Sequence, residues 1–418
     1  MKYKSSCADD HDPEALTVEV ARQRILDNIV PMSLTERVPV RSALSRVLAE
    51  TVVAPVNVPA HVNSAMDGYA LDGATLPAEG ESRAYRQAGR VMAGQSFAGN
   101  VAEGDCIRIM TGAPMPAGTD TVVMQEQVDV EDDRVIIGSG HRQGQNVRQA
   151  GEDLTKGQAV FRPGKWLDPA DIGVMASMGF GEVAVVRRPT VAFFSTGDEL
   201  RSIGEPLGEG EVYDSNRYTV YGMLTRLGCN VLDMGVITDD PEKLREAFEA
   251  ASRQADVVIT TGGVSVGEAD YIHSILDELG EVAFWKLAIK PGRPLTHGKL
   301  GKALFFGLPG NPVAVVVSFY QFVQPALRYL MSGEIDQPLL IPAKSTCKMR
   351  KRPGRTEFAR GIYTTNESGE IQVDTAGVQG SGILTSMSRA NCFIVLGDQQ
   401  GEVNPGDIVT IQPFASLA

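Results

Sequence analysis

The sequence lacks the patterns that mark disulfide frameworks, zinc sites, secreted proteins and membrane spans. Its five cysteines are dispersed without a C-x-x-C pair and its five histidines do not cluster, so neither a disulfide framework nor a Cys/His zinc site can be drawn. The apolar runs are too short to cross a bilayer, and the acidic N-terminal segment contains no signal-peptide core. We therefore expect a cytoplasmic protein with reduced thiols and no membrane partner.

A surplus of positive charge is also missing. The 418 residues carry a formal net charge of −13 at pH 7, which argues against a nucleic-acid partner, because such proteins present a basic surface to phosphates. Net charge does not exclude a small anionic ligand, since the charge of one site differs from the sum over the chain. The chain contains neither G-x-G-x-x-G nor G-x-x-x-x-G-K-[ST], so a dinucleotide-dependent dehydrogenase and a P-loop ATPase are both unsupported.

Glycine, by contrast, is abundant: it occupies 44 of the 418 positions, roughly one in ten against an ordinary level of about 7%. From Asp67 to Gly151, short β-like runs alternate with Gly/Pro turns, which predicts a small all-β unit. Between 185 and 332, apolar strands alternate with helices, a pattern typical of a doubly wound α/β domain with a parallel sheet. From Leu339 onward the β-rich texture returns and predicts a small β-barrel or sandwich.

Polar loops follow four of the predicted α/β strands, beginning at Thr196, Thr238, Thr261 and Pro309. Ligands of open α/β sheets bind outside the carboxyl ends of the strands, so we expect these loops to meet at one edge of the sheet. Five carboxylates of these loops would then converge, namely Asp198, Glu199, Asp239, Asp240 and Asp270. A bound Mg²⁺ that bridges carboxylates to ligand phosphates explains them collectively; helix capping is the alternative for Asp198 and Asp240.

Two other features suit an anionic ligand. The pair Gly262-Gly263 allows backbone N–H groups to approach a phosphate, although a plain loop is the alternative. Positive charge comes from Lys286, Lys290 and Arg293, and from a basic run between Lys344 and Arg360. A solvated edge strand, which commonly carries lysine and arginine, is the alternative interpretation of that run.

An octapeptide far upstream, residues 63–70, surrounds the single carboxylate of Asp67 with small residues; its spacing alone identifies no function. Eight segments, however, occur together and in order: NSAMDGYA (63–70), IRIMTGAPMPAGTDTVV (107–123), AGED (150–153), STGDEL (195–200), DSN (214–216), TTGGVSVGEADY (260–271), KLAIKPGRP (286–294) and FFGLPGNPVAV (305–315). Jointly they closely resemble the molybdopterin molybdenumtransferase family of molybdenum-cofactor biosynthesis, which is related to the E domain of gephyrin.

The resemblance covers all but about the first fifteen residues and implies four domains. These are an elongated N-terminal domain (16–66 plus 151–184), an inserted small β domain (67–150), a doubly wound molybdopterin-binding α/β domain (185–332) and a C-terminal β-barrel (333–418). It also implies a homodimer whose active site lies between the α/β domain of one subunit and N- and C-terminal parts of the other.

The reaction that the resemblance implies is the insertion of molybdenum from molybdate into adenylylated molybdopterin, with Mg²⁺-dependent release of AMP. The partners it implies are a second copy of the chain, with a molybdopterin adenylyltransferase before it and cofactor-accepting molybdoenzymes after it. Cleavage of an activated phosphoanhydride with Mg²⁺ offsetting the charge fits the carboxylates at the strand ends.

The resemblance also carries over individual residues. Asp67, Thr111, Glu199, Asp239 and Asp270 match functional positions of the family, with Asp239 and Asp270 assigned to the metal and phosphate and Glu199 to binding or insertion. The molybdopterin pocket would be shaped by Thr261, Gly262, Gly263, Ser265, Pro309, Gly310 and Pro312. Lys286, Lys290 and Arg360 are candidate contacts for molybdate or phosphate.

Two other functions remain open at this point. A molybdopterin adenylyltransferase shares the α/β domain with its TTGG segment but normally consists of that domain alone, so residues 63–70 and the C-terminal region argue against it. A scaffold of the gephyrin type is the second alternative, and the chain shows neither an extended linker nor a fused second enzyme.

Overall fold

The computed structural model describes residues 14–262 and 270–414, but only the backbone of Asp270 and Tyr271 within the second range. The chain divides into two compact units. Among the described residues, the first comprises residues 14–36, 45–47 and those from Val186 onward, and the second comprises residues 37–44 and 48–185. No helix within the described ranges is long and apolar enough to cross a membrane.

The α-helices are α1 (Val18–Asp27), α2 (Pro169–Ser177), α3 (Ser215–Arg226), α4 (Pro241–Gln254), α5 (Asp270–Leu279), α6 (Pro312–Ser318), α7 (Gln324–Ser332) and α8 (Leu384–Arg389). A π-helical turn, Phe319–Val323, joins α6 to α7, and short 3₁₀ turns span Val40–Ser42, Gly73–Thr75 and Gln125–Gln127.

The strands are β1 (Thr35–Pro39), β2 (Val52–Val53), β3 (Asn63–Ser64), β4 (Gly68–Leu71), β5 (Ser82–Val91), β6 (Asp105–Ile109), β7 (Thr121–Met124), β8 (Val128–Glu131), β9 (Arg134–Gly138), β10 (Val147–Arg148), β11 (Ala159–Phe161), β12 (Glu182–Val186), β13 (Thr190–Thr196), β14 (Leu200–Arg201), β15 (Val212–Tyr213), β16 (Asn230–Ile237), β17 (Val257–Thr261), β18 (Gly280–Lys286), β19 (Ile289–Lys290), β20 (Pro294–Leu300), β21 (Ala303–Leu308), β22 (Ile341–Ser345), β23 (Thr356–Thr365), β24 (Ile371–Thr375), β25 (Cys392–Leu396) and β26 (Ile408–Pro413).

The second unit is built around a six-stranded sheet in the order β7-β4-β6-β5-β9-β8. Tyr69 and Leu71 belong to one buried cluster and Ala70 to another. Because alternate residues of a strand point to opposite faces, both faces of this sheet are covered. The same unit contains α2, whose first turn is capped by Asp168, and Asp171 completes a capping box.

The first unit contains the α/β sheet, in the order β16-β13-β17-β21-β20-β18. Helices α4 and α5 pack on one face, and α3 and α6 on the other. Phe194, Phe248 and Phe305 meet edge to face inside the α4/α5 layer, an arrangement that adds to the stabilisation from burial. The predicted doubly wound fold is confirmed.

The sheet is not wholly parallel, which corrects one expectation. Strands β16, β13, β17 and β21 are parallel, whereas β20 runs antiparallel to both β21 and β18. The alternation of apolar strands with helices predicts a parallel sheet and does not mark β20 as a strand. The reason is that Pro294, His297, Gly298 and Lys299 break up the apolar run that marks a buried strand.

The C-terminal part of the first unit is a closed barrel. Its strands run in the order β23-β24-β22-β26-β25, and β25 pairs back onto β23. Closure removes the unpaired strand edges that a sandwich leaves, so the predicted barrel is confirmed over the sandwich. Strand β19 adds to β23 in parallel and links the barrel wall to the α/β domain.

His297 lies in the middle of β20, and because its ring is buried we expect the stability of the fold to decrease at acid pH. The side chain is 2% exposed, and Nδ1 donates to the Phe305 carbonyl at 2.9 Å. Burial is the main cause that lowers the pKa of His297 from 6.5 to about 4, and the neighbouring Lys299 acts in the same direction. As pH falls from 6.5 towards 4, His297 binds a proton in the unfolded chain but stays neutral in the folded chain. The free energy of unfolding therefore decreases over that pH range, by about 3 kcal/mol.

His297→Asn keeps a donor for the Phe305 carbonyl but cannot titrate. Between pH 7.5 and 4.5 we expect the free energy of unfolding of this variant to fall by about 2–3 kcal/mol less than that of the parent. The measurement is urea unfolding followed by tryptophan fluorescence. In a Trp166→Phe background Trp285 is the sole tryptophan, and its ring centroid lies 5.7 Å from that of His297. An equal pH dependence in variant and parent would show that His297 is not the titrating group.

Candidate active site

A cavity of about 990 Å³ lies inside the first unit, between the strand ends of the α/β domain and the wall of the barrel. Its α/β side contains the predicted residues Glu199, Asp239, Gly262, Pro309 and Gly310. This is the edge at which the strand-end rule places a ligand. The barrel side contributes residues from 348 to 396, which the rule does not address.

Two strand-end loops approach each other closely because each contains a glycine in a left-handed conformation. Gly262 has φ +86°, and a Cβ there would lie 2.4 Å from the Thr196 carbonyl oxygen. Gly197 has φ +147°, and a Cβ there would lie 2.6 Å from a carboxylate oxygen of Glu199. At Gly262 the neighbour is a backbone oxygen, so only glycine fits there. At Gly197 the positive φ favours glycine, and its missing Cβ leaves room for the Glu199 carboxylate beside the cavity.

The carboxylates at the second strand end have separate tasks. The backbone N–H of Asp239 donates to Oδ1 of Asp198 at 3.1 Å, which ties the first strand-end loop to the second. Asp240 caps α4 by accepting from the N–H groups of Glu242 and Lys243, both at 3.0 Å. The capping alternative therefore holds for Asp240, whereas Asp198 caps no helix in the described ranges and Asp239 lines the cavity.

The opposite wall of the cavity is basic. Its six cationic side chains are Lys290, Arg293, Lys348, Arg350, Arg355 and Arg360. Lys290 forms an ion pair with Glu357 at 3.2 Å, and Lys348 forms one with Glu402 at 2.8 Å. The basic run is thus part of the cavity rather than only a solvated edge.

Arg360 differs from the other basic groups because it is almost fully buried, at 1% exposure. Its Nε donates to Ser386 Oγ at 3.0 Å, and Nη2 donates to the carbonyls of Val378 and Gly380 at 3.3 and 3.0 Å. Burial lowers the pKa of this guanidinium, although an arginine remains charged at neutral pH. Within the described part of the chain Nη1 has no hydrogen-bond partner, which leaves it for a ligand.

Backbone contacts fix the loop that carries Pro309 and Gly310. Asn216 Nδ2 donates to the Gly310 carbonyl at 2.7 Å. The N–H of Val313, in the first turn of α6, donates to the carbonyl of Ser381 at 3.0 Å. First-turn N–H groups have no partner within their own helix, so the barrel loop around Ser381 completes the α6 terminus beside the cavity.

Asp67 and Thr111, which the resemblance singled out separately, are in contact within the second unit. Oδ1 of Asp67 accepts from the Thr111 N–H at 2.7 Å and from its hydroxyl at 2.8 Å. These two bonds, the backbone one first, lower the pKa of Asp67. The reason for the contact is that Asp67 precedes β4 and Thr111 follows β6, and β4 and β6 pair antiparallel.

The remaining predicted residues fall into three groups. Thr261, Lys286 and Pro312 are not among the described residues that line the cavity. Thr261 is buried, and its hydroxyl lies 2.8 Å from that of Ser195. Gly263 and Ser265 lie outside the described residues. Asp270 begins α5, and its side chain lies outside the described part.

Sequence reasoning missed Gln379, Ser381 and Ser386, of which the first two line the cavity and the third holds Arg360. The signal that was available is the run Gly377–Gly382, in which three of six residues are glycine, as in the glycine-containing strand-end loops. No group of three His, Cys, Asp or Glu side chains in the described ranges is arranged as a metal-ligand set.

Comparison with known proteins gives three family matches in succession along the chain. Residues 16–179 match the MoeA N-terminal region (domain I and II), 192–329 a probable molybdopterin binding domain, and 342–414 the MoeA C-terminal region (domain IV). Together with the α/β sheet and the barrel, they define a multidomain enzyme of molybdenum-cofactor biosynthesis.

Curated relatives of full length agree. The molybdopterin molybdenumtransferase of Haemophilus influenzae is 44% identical over 404 residues, which cover 96% of this chain and 99% of that protein. The one from Nostoc is 33% identical over 99% of both chains. The chain belongs to the molybdopterin molybdenumtransferase (MoeA) family, a family of transferases. The molybdopterin biosynthesis MoeA protein of Pyrococcus horikoshii has a similar structure, with a TM-score of 0.83 at 29% identity over 96% of this chain and all of that one.

Proposed function

We propose that this protein inserts molybdenum from molybdate into adenylylated molybdopterin, with Mg²⁺-dependent release of AMP. The observation that carries the proposal is the cavity with one acidic and one basic wall. A volume of about 990 Å³ lies at the upper end of the range of small-molecule sites, about 300–1,000 Å³, and so accommodates a nucleotide-bearing pterin. The family relatives are named for this transfer of molybdenum.

The basic wall supports binding of both anions in this reaction. Molybdate and the phosphates of the adenylylated pterin are oxyanions, which guanidinium groups bind through paired N–H donors. We assign molybdate to Arg360, because this arginine is buried and its described partners are neutral. Lys290 would contact phosphate, and Glu199 would serve binding or insertion. Lys286 is assigned to the same anions on the resemblance alone.

The pterin side of the cavity is assigned to the strand-end loops. Gly262, Pro309 and Gly310 line it, and backbone N–H groups in such glycine-containing loops can bind a ligand phosphate. Thr261 and Pro312 would support these lining residues without contacting the ligand, Thr261 at the end of β17 and Pro312 at the start of α6. Gly263 and Ser265 belong to the same proposed pocket on the resemblance alone.

Mg²⁺ fits the carboxylates of the α/β strand ends. Asp239 lines the cavity and Asp270 begins the helix after β17, so both follow strands of the same parallel set. A site of one or two carboxylates completed by water and phosphate oxygens is what Mg²⁺ usually takes. Asp239 and Asp270 would hold the ion, and it would offset phosphate charge during release of AMP.

We further propose that the active protein is a cytoplasmic homodimer of four-domain chains, with the domain boundaries given above. The family matches support this division, since they name domains I, II and IV around a molybdopterin-binding region. The dimer rests on the resemblance, which also counts Asp67 and Thr111, a hydrogen-bonded pair in this chain, among the functional positions of the family. An adenylyltransferase that supplies the substrate and molybdoenzymes that accept the product are the proposed partners.

The test of the proposed function is the reaction itself. Purified protein is given adenylylated molybdopterin, Mg²⁺ and molybdate, and AMP and molybdenum-loaded cofactor are measured. We expect AMP release that depends on molybdate. Formation of adenylylated molybdopterin from molybdopterin and Mg-ATP, without molybdate-dependent AMP release, would instead identify the protein as the adenylyltransferase.

A further inference from the structure

The buried charge of Arg360 is held in place entirely by neutral groups. Its guanidinium bonds to one hydroxyl and two backbone carbonyls, and no carboxylate of the described residues pairs with it. A buried ion that lacks a counter-ion in the protein is costly unless its hydrogen bonds are satisfied. The groups that accept hydrogen bonds from Arg360 therefore fix the orientation of its guanidinium.

Ser386 fixes the plane of the guanidinium. It is 2% exposed, and its hydroxyl donates to the Ile383 carbonyl at 2.6 Å while accepting from Arg360 Nε at 3.0 Å. A hydroxyl has one proton, and that proton is used on Ile383. The oxygen of Ser386 can therefore only accept, which suits Nε and fixes the direction in which the rest of the guanidinium extends.

Gln379 fixes the backbone of the same arginine. Its Oε1 accepts from the Arg360 N–H at 2.8 Å, and its Nε2 donates to the Arg360 carbonyl at 3.1 Å and to the Gly377 carbonyl at 2.9 Å. Strand β24, the neighbour of β23, ends at Thr375, so the side-chain amide of Gln379 continues the ladder past the end of the strand. Both Nε2 protons are used, which leaves Gln379 no donor for an anion although it lines the cavity.

We propose that Ser386 and Gln379 are positioning residues for oxyanion binding: they aim Nη1 of Arg360 into the cavity without touching the oxyanion themselves. The inference rests on the proposed function, because it takes Arg360 as the molybdate contact. Ser386 acts on the side chain and Gln379 on the strand, so each can be removed separately. Neither removes charge from the site.

The test combines calorimetric binding of molybdate with KM values for molybdate and for adenylylated molybdopterin. Ser386→Ala removes a hydrogen bond to a charged group and Gln379→Met removes three bonds to neutral backbone groups, and either loss is large enough to change an equilibrium about tenfold. We expect Ser386→Ala and Gln379→Met each to weaken molybdate binding and raise its KM about tenfold, with the KM for the pterin changed less than twofold. Ser386→Thr, which keeps the hydroxyl, should bind molybdate within about threefold of the parent.

Two controls separate the possible failures. Gln372→Met makes the same change on β24, at a residue that does not line the described cavity, and should leave both KM values unchanged. If Arg360→Met binds molybdate like the parent, the molybdate assignment of the proposed function is wrong. If Arg360→Met loses binding while Ser386→Ala and Gln379→Met retain it, or if these two raise both KM values equally, the positioning role is wrong.

Discussion

Asp239→Asn is expected to lower molybdate-dependent AMP release about 100-fold and to raise the Mg²⁺ concentration needed for half-maximal activity. The substitution keeps the shape of the side chain and removes the negative charge that we assign to the metal and phosphate. Loss of a ligand that helps to offset phosphate charge costs several kcal/mol of transition-state stabilisation. The measurement is AMP release as a function of Mg²⁺ at saturating molybdate.

The neighbouring Asp240→Asn is the matched control. Asp240 caps α4 through the N–H groups of Glu242 and Lys243, and asparagine caps a helix about as well as aspartate. This variant should keep activity within about threefold of the parent and unfold within about 0.5 kcal/mol of it. Equal activity of the Asp239 and Asp240 variants would remove Asp239 from the metal site.

The strand ends could be predicted because a simple geometric rule governs them. Parallel strands of one sheet end at the same edge, so an apolar run followed by polar residues places Glu199, Asp239 and Gly262 near one another without any knowledge of side-chain packing. The resemblance added Asp67 and Thr111, whose contact depends on the antiparallel pairing of β4 with β6. The spacing of 44 residues between them gives no hint of that contact.

The basic wall was harder to predict because its role depends on which side of a barrel strand faces inward. Lys344 and Arg360 belong to the same run, yet Lys344 pairs with Glu370 at 3.3 Å and Arg360 is buried at the cavity. Lys286 and Lys290 are four residues apart, and of these two only Lys290 lines the described cavity. The charged residues of a sequence indicate a class of ligand, but strand register determines which of these side chains face the ligand site.

The loop around Gln379 escaped prediction for a different reason. Gln379 and Ser386 act by completing the hydrogen bonds of Arg360, and such bonds depend on where β24 ends and α8 begins. A glutamine or a serine in a turn has no periodicity or charge to mark it. Its importance follows only once the buried guanidinium needs a partner.

Gly262→Ala is expected to destabilise the protein by about 3–5 kcal/mol and to lower kcat/KM for adenylylated molybdopterin at least 100-fold. The added Cβ would meet the Thr196 carbonyl at 2.4 Å, and a backbone atom in a buried strand cannot move aside cheaply. The left-handed φ of +86° adds about 1–2 kcal/mol of strain for a residue with a Cβ. The two strand-end loops must then separate, and a displacement of about 1 Å is enough to cost two orders of magnitude in rate.

Gly235→Ala separates the collision from the strain, because Gly235 has the same φ of +86° with nothing within 4 Å of its added Cβ. It should lose only about 1–2 kcal/mol and keep its activity, measured by urea unfolding and by AMP release under identical conditions. If the two variants lose equal activity, dihedral strain is the common cause and the close approach of the loops has no role in binding. If only Gly262→Ala loses activity, the close approach of these two backbones is itself part of the pterin site. That result would explain why a glycine, which has no side chain that could bind a ligand, occupies this strand end.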